Sequence, residues 1–194
     1  MRETKRAMGW AAATAVIALL AASGACHAQA EKDVTAEKCG VDFNKPATRV
    51  FVDATAKEPW TEIRDIRTLP DVNLNDGGRV ARVWKGTDGN VLVFVEEPGE
   101  DFDIASEYCF DKDGAISRIR FQVKTAWRWG FREEGLVKDG AIVAETNEFF
   151  DMDNGEKVPK PSGANEIPET LKPKVYTKIT ELPFAKLMEP QTSE

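Results

Sequence analysis

The segment 125–135 (TAWRWGFREEG) carries the side chains best suited to holding a ligand. Its three large rings are at odd-numbered positions and its two arginines are at even-numbered positions. In a strand, the rings would therefore share one face and the arginines the other. Together with a tryptophan from an earlier predicted strand, they form the candidate ligand-binding set. Its members are Trp84, Trp127, Trp129, Phe131, Arg128 and Arg132.

A concave sheet lined with such rings can hold an apolar ligand or stack on a glycan, with arginine binding an anionic group at the rim. The alternative interpretation is that the rings form hydrophobic core beneath the helices, because large aromatic residues dominate protein cores.

Two clusters of acidic residues contain the oxygen ligands that calcium prefers. Residues 96–103 (EEPGEDFD) hold five carboxylates, and residues 151–156 (DMDNGE) hold three carboxylates and an amide. Neither cluster has the spacing of an EF-hand loop. Solvated hairpin loops that discourage edge pairing are the simpler interpretation. We therefore predict no bound metal and no cofactor.

Histidine chemistry is nearly excluded, because His27 is the single histidine of the chain and lies in the N-terminal segment discussed next. Without it, a Ser-His-Asp triad, a Cys-His pair and a histidine-ligated zinc site cannot form. No GxSxG, P-loop or GxGxxG motif occurs. A pair of carboxylates would suffice for glycoside hydrolysis, but nothing in the sequence singles out a pair among the 33 acidic residues.

The first 30 residues have the three-part pattern of a secretory signal peptide. Basic residues are followed by the uncharged run 7–30, and Ala28 and Ala30 form an A-x-A site that predicts cleavage before Glu31. Cleavage leaves 23 basic and 32 acidic residues, a net charge of −9, and no predicted membrane span. One alternative is a lipoprotein anchored through Cys26. The other is an uncleaved membrane anchor, which the high alanine content of the uncharged run disfavours. The signal and lipoprotein interpretations both predict a periplasmic or secreted protein.

The two remaining cysteines, Cys39 and Cys109, are predicted to form a disulfide, as an even count in an exported chain indicates. Their separation of 70 positions excludes a CxxC redox motif.

From Arg79 onward, apolar residues recur with a period of two between turn sequences that favour hairpins. These turns are Asp88-Gly89, Asp113-Gly114, Asp139-Gly140 and Asn154-Gly155. The pattern predicts a mainly β fold, a single curved antiparallel meander sheet or open barrel of about six to eight strands. Trp60, Ile63, Ile66 and Leu69 lie three apart, which predicts one short N-terminal helix starting at Pro59.

Two strands give finer predictions. In residues 117–124 (SRIRFQVK), Ile119, Phe121 and Val123 are expected to face the core while Arg118 and Arg120 face solvent. The run VLVFV (91–95) is apolar on both faces and predicts a central strand covered on both sides.

The chain divides into segments by composition. We predict a signal peptide (1–30), a polar N-terminal arm (31–46), an antiparallel β domain (47–156), a proline-rich linker (157–174) and a C-terminal segment (175–194). The last segment is expected to dock on the sheet through short helical turns, with an added edge strand over residues 175–180 as the alternative.

These features predict an exported, non-enzymatic binding or accessory module that uses the aromatic face or an edge strand. Its partner would be a small apolar or glycan ligand, or an envelope protein. The acidic charge argues against nucleic acid. The alternatives are a carboxylate-dependent hydrolase and a structural envelope protein acting through a protein partner.

Overall fold

The computed structural model describes residues 34–55, 59–64, 77–161 and 171–189, and in these ranges nine strands form one open antiparallel sheet. The strands are β1 (Arg49–Asp53), β2 (Thr61–Ile63), β3 (Arg79–Lys85), β4 (Val91–Glu97), β5 (Phe102–Phe110), β6 (Ile116–Thr125), β7 (Trp129–Lys138), β8 (Ala141–Asp151) and β9 (Lys157–Val158). Their spatial order is β2-β1-β3-β4-β5-β6-β7-β8-β9. The predicted mainly β antiparallel meander is confirmed, with somewhat more strands than expected.

Tight turns set the register of the meander. Each of the four predicted Asp-Gly or Asn-Gly turns joins two neighbouring strands, β3 to β4, β5 to β6, β7 to β8 and β8 to β9. Between β7 and β8, Asp139 and Gly140 both have positive φ, 51° and 75°. This geometry is that of a type I′ hairpin turn, whose twist matches the flanking strands.

One face of the sheet is covered by residues 171–189, which we call the C-terminal strap. The strap contains a 3-10 turn at Ile179–Glu181 and the helix α2 (Ala185–Met188). Its buried residues Leu182 and Phe184 pack on sheet residues that include Phe51 and Tyr108. We call this side of the sheet the strap face. The predicted short C-terminal helical turns are therefore present.

The opposite face, called the arm face, is covered by the N-terminal arm. The arm begins with the helix α1 (Val34–Lys38) and continues through Cys39, which is disulfide-bonded to Cys109 of β5. Arm residues Val41 and Phe43 pack with Trp84 and Leu92 of the sheet. Strand β4 thus has packed side chains on both faces, as its sequence predicted.

The predicted helix at residues 59–69 is wrong where the structure describes it, because residues 61–63 form the edge strand β2. Val52 of β1 pairs with Thr61 of β2. Trp60 packs against the cluster of the strap face, whereas Ile63 packs against the arm-face residues Val50 and Val52. A spacing of three places residues on opposite faces of a strand, and here Trp60 and Ile63 are each partly buried against a different face of the sheet. Residues 65–70 lie outside the described residues.

The prediction that the arginines of β6 face solvent is also wrong. Arg118 and Arg120 are only 7% and 8% exposed. Arg120 donates to Glu107 of β5 at 3.4 Å, and Arg118 donates to Glu134 of β7 at 3.3 Å. Alternating charges on neighbouring strands compensate one another, so the arm face buries guanidinium groups without placing them in an apolar core.

No helix within the described residues is long and apolar enough to span a membrane.

Candidate functional site

The predicted aromatic cluster is divided between two faces of the sheet and a turn. Trp129 and Phe131 lie on the strap face, with ring centroids 5.6 and 5.3 Å from that of Phe149. Phe131 is 8% exposed and packs beside Phe121, which is fully buried. Phe131 is therefore part of a buried hydrophobic cluster, and Trp129 is partly buried against it.

The other predicted site residues lie elsewhere. Trp127 and Arg128 occupy the turn between β6 and β7, where Arg128 pairs with Asp153 and the Trp127 side chain is 59% exposed. Arg132 lies on the arm face and donates to Glu148 at 2.7 Å. Trp84 is buried beneath the arm, where its Nε1 donates to the carbonyl of Lys45 at 2.9 Å. The structure does not bring Trp84 to the other tryptophans.

A cavity of about 260 Å³ lies between the strap and the sheet, and we call it the strap cavity. Four aromatic residues contribute to its wall, namely Trp60, Tyr108, Tyr176 and Phe184. Phe184 stacks on Phe51 with 4.8 Å between centroids, and its ring is 4.9 Å from that of Trp60. Sequence reasoning missed this site because its walls come from Trp60 before β2, from β3, β4 and β5, and from the strap, so residues far apart in the chain must meet.

Hydrogen bonds hold the strap over the cavity. The buried Tyr108 hydroxyl donates to the carbonyl of Lys174 at 3.2 Å, and burial raises the pKa of Tyr108 far above its usual value. At the other end of the strap, Arg49 donates to the carbonyl of Leu187 while also binding Glu62. Tyr108 therefore remains a neutral donor at physiological pH, and the strap is fixed at both ends.

The side chain of Trp60, which is part of the cavity wall, contains a polar atom that is closed off from solvent. The indole Nε1 of Trp60 is buried and has no hydrogen-bond acceptor among the described residues. The guanidinium of Arg79 lies 5.2 Å from the Trp60 ring and is held by two of its nitrogens to Oδ2 of Asp53. Asp53 is 1% exposed, so a buried carboxylate holds the Arg79 guanidinium in place.

The charged residues described in the cavity wall are mostly cationic. They are Arg79, Lys172 and Lys174 against the single acid Glu97. The Lys174 ammonium lies 5.0 Å from the centroid of the Tyr176 ring, which places its charge at the aromatic rim. Nothing in the sequence marked Lys172 and Lys174 as residues of a site, because lysines in a proline-rich segment are typical of a linker.

A second concave surface, the arm groove, has a volume of about 320 Å³ and is more open. Glu96 and Asp103 both contribute to its wall, so two carboxylates do share one groove. Glu96 is ion-paired with Arg82 across the β3–β4 ladder, however. Glu96 therefore has a structural partner in the cross-strand ladder.

Within the described ranges, no three side chains of histidine, cysteine, aspartate or glutamate are grouped in a way that could hold a metal ion. The acidic loop 96–103 contributes residues to both the arm groove and the strap cavity instead.

No family model, curated protein or solved structure matches the chain.

The ion pair that anchors the strap makes stability depend on pH. Arg49 donates to both oxygens of Glu62, at 2.7 and 2.8 Å, and these bonds lower the pKa of Glu62. A carboxylate with a lowered folded pKa stabilises the fold above its unfolded pKa of about 4.3, and this contribution is lost as the pH falls through the folded pKa. We expect the urea midpoint to fall between about pH 5 and pH 3, and to fall less steeply in Glu62→Gln.

Glu100→Gln, a change in an exposed loop, is the matched control and should retain the wild-type slope. A Glu62→Gln protein with the same pH dependence as wild type would contradict this role of the ion pair.

Proposed function

We propose that this protein is an exported, non-enzymatic binding module that holds a small ligand in the strap cavity. The observation that carries the proposal is the aromatic wall of that cavity, which joins Trp60, Tyr108, Tyr176 and Phe184 around about 260 Å³. Its aromatic wall is combined with charged groups, and a partly enclosed cavity with fixed polar groups is a common form of small-molecule site. The volume is close to the lower end of the range for such sites, about 300 Å³, and so favours a small ligand.

Export is the second component of the proposal. It is supported by the three-part N-terminal pattern and by the buried Cys39–Cys109 disulfide, which suits an oxidising compartment. The mass of the protein recovered from its own cells tests it. We expect a chain that begins at Glu31, whereas a chain that retains Met1 would contradict export by cleavage.

Filling the cavity should abolish binding. Val95 lies in the cavity wall and is 9% exposed, so Val95→Phe places additional ring atoms in the space a ligand would occupy. Calorimetry with 3-phenylpropionate, 3-phenylpropanol and 3-phenylpropylamine supplies probes with one apolar skeleton. We expect saturable binding of at least one probe to wild type, and at least tenfold weaker binding to Val95→Phe.

The control is Val143→Phe, the same change at an exposed residue of β8. Wild-type affinity is expected for this variant. Binding that persists in Val95→Phe would place the site elsewhere, and failure of all three probes to bind wild type would contradict the proposed function.

A second candidate is an accessory role through a protein partner, favoured by the open edge of β8. Strand β9 pairs only with Phe149 and Phe150, and no other strand within the described residues pairs with the outer edge of β8. Residues 141–144 (AIVA) carry neither the lysine nor the proline that usually protects such an edge. The acidic charge of the chain favours a basic, extended segment as a tenth strand.

This role can be separated from ligand binding with two lysine substitutions. Val143→Lys places a charge on the open edge, whereas Met152→Lys places it at an exposed residue in the turn beyond. A peptide of about eight alternating lysine and valine residues should bind wild type and Met152→Lys and lose affinity for Val143→Lys. Equal binding to both variants would contradict docking at this edge.

A further inference from the structure

We propose that three neighbouring loops at one end of the sheet bind a basic segment of a protein partner, with an arginine or lysine side chain stacked on the ring of Trp127. These loops are the β4–β5 loop (98–101), the β6–β7 turn (126–128) and the β8–β9 turn (152–156), and we call the surface they form the loop end. No residue of the three loops is part of the described wall of the strap cavity, so the inference goes beyond the proposed ligand site.

All three loops contribute to one concave surface of about 310 Å³. Its wall includes Glu100 and Asp101 of the first loop, Ala126 and Arg128 of the second, and Met152 of the third. Loops carried on a rigid sheet are a common place for binding residues, because the sheet fixes their relative positions.

Exposed apolar side chains are concentrated at the loop end. Three large apolar side chains of the described residues are exposed, and two of them are Trp127 at 59% and Met152 at 39%. They lie in adjacent turns, where the N–H of Met152 donates to the carbonyl of Arg128 at 3.1 Å. Tryptophan is among the residues that contribute most to binding energy at protein interfaces, so an exposed one beside a second apolar side chain favours a docking surface.

Neighbouring residues hold the Trp127 platform in place before any partner binds. The N–H of Ala126 donates to the carbonyl of Asp101 at 3.0 Å, which ties the β6–β7 turn to the β4–β5 loop. The Trp127 ring packs edge-on against Phe102, with 5.7 Å between the ring centroids. A side chain that is already held in the free protein loses little conformational entropy on binding.

Arg128 has a backbone conformation that is unfavourable for an arginine. Its φ is 67°, in the left-handed region, where a glycine or asparagine is more usual in a hairpin turn. Its guanidinium pairs with Asp153 of the next turn. Unfavourable backbone conformations are concentrated at functional sites, which supports a binding role for this turn.

The charge of the loop end remains negative after its cations are counted with their partners. Arg128 and Asp153 offset each other, and Lys124 lies directly across the ladder from Asp103. The three loops contain no further cation, and their remaining exposed acids are Glu100, Asp101 and Glu156. An ammonium or guanidinium group can bind an aromatic face and a carboxylate together, so this surface is complementary to a basic segment.

Calorimetry with two capped peptides tests the partner class. One peptide has four arginines alternating with glycine, and the other has citrulline in place of each arginine, which keeps the hydrogen-bonding shape and removes the charge. We expect saturable binding of the arginine peptide to wild type and about tenfold weaker binding of the citrulline peptide. Trp127→Ala should weaken the arginine peptide about tenfold, because the ring face is lost, and should leave the Tm unchanged because the side chain is exposed.

The acidic residues are tested by matched changes of charge. Glu100→Gln with Asp101→Asn removes two carboxylates from the loop end and leaves the backbone carbonyl of Asp101 in place. Asp88→Asn with Asp113→Asn is the control, because it removes two exposed carboxylates from turns at the opposite end of the sheet. We expect binding about fivefold weaker in the first double variant and within about twofold of wild type in the second. Val143→Lys, on the open edge of β8, should also bind the arginine peptide within about twofold of wild type.

Each contrary outcome identifies the part of the proposal that is wrong. Failure of the arginine peptide to bind wild type, or equal binding of the citrulline peptide, would overturn the basic partner. Equal weakening in both double variants would indicate general attraction to an acidic chain and overturn the loop end as the site. Wild-type affinity in Trp127→Ala would overturn the aromatic platform. Binding of chitotriose in place of the arginine peptide, if Trp127→Ala abolishes it, would assign the surface to a glycan instead.

Discussion

Replacement of both Cys39 and Cys109 by alanine is expected to lower the free energy of unfolding by about 4 kcal/mol. The disulfide closes a loop of 70 positions and so restricts the unfolded chain strongly. Both half-cystines are buried, at 0% and 3% exposure, and they join the arm to the centre of the sheet. For a chain of this size the loss corresponds to a fall of about 10 °C in Tm.

Urea denaturation of the double variant and of wild type, each with and without reductant, measures this effect. Reduction should destabilise wild type by a similar amount and leave the double variant unchanged. Hydrogen exchange should show faster exchange at α1 in the double variant, because the arm is no longer bonded to β5. A double variant as stable as wild type would contradict a structural role for the bond.

The second large effect is expected at the buried ion pair of the arm face. Arg120 and Glu107 have side chains only 9% and 6% exposed, with 3.4 Å between nitrogen and oxygen. Arg120→Met would leave the Glu107 carboxylate buried without this cation. We expect it to lower the free energy of unfolding by about 3 to 5 kcal/mol, because removal of one partner of a buried ion pair leaves the desolvation cost of the other charge without the attraction that offset it.

The double variant Glu107→Leu, Arg120→Met distinguishes this cause from simple loss of packing. It should recover most of the lost stability, because removal of both charges also removes their desolvation penalty. Asp153→Asn, in the exposed pair with Arg128, is the control and should leave the Tm unchanged. A double variant that is less stable than Arg120→Met alone would contradict the explanation.

The sheet could be predicted from local sequence because its determinants are local. Turns such as Asp139-Gly140 require residues that adopt positive φ, and alternation of apolar residues marks the strands between them. Prediction failed around β2, where partly buried apolar side chains on opposite faces of the strand produced a spacing typical of a helix. It failed again at Arg118 and Arg120, because their charge compensation depends on residues of other strands.

The binding site was less accessible to sequence reasoning than the fold. The rings of Trp129 and Phe131 were prominent because they lie close together in the chain, yet Phe131 is buried in a hydrophobic cluster and Trp129 packs against it. Trp60 and Phe184, by contrast, are 124 positions apart and meet only because the strap returns across the sheet. Such long-range proximity has no local signature, so the strap cavity could not be identified before the fold was known.

The strap cavity as a ligand-binding site is tested most directly by the indole N–H signals in a nitrogen-15 NMR titration with whichever phenylpropyl probe binds. Trp60 is in the cavity wall, whereas Trp84, Trp127 and Trp129 lie elsewhere. We expect the Trp60 indole signal to shift, because a bound phenyl ring would lie against the aromatic wall of which Trp60 is part, with little change in the other three. An unmoved Trp60 signal at saturating ligand, or larger shifts at Trp127 and Trp129, would contradict binding in this cavity.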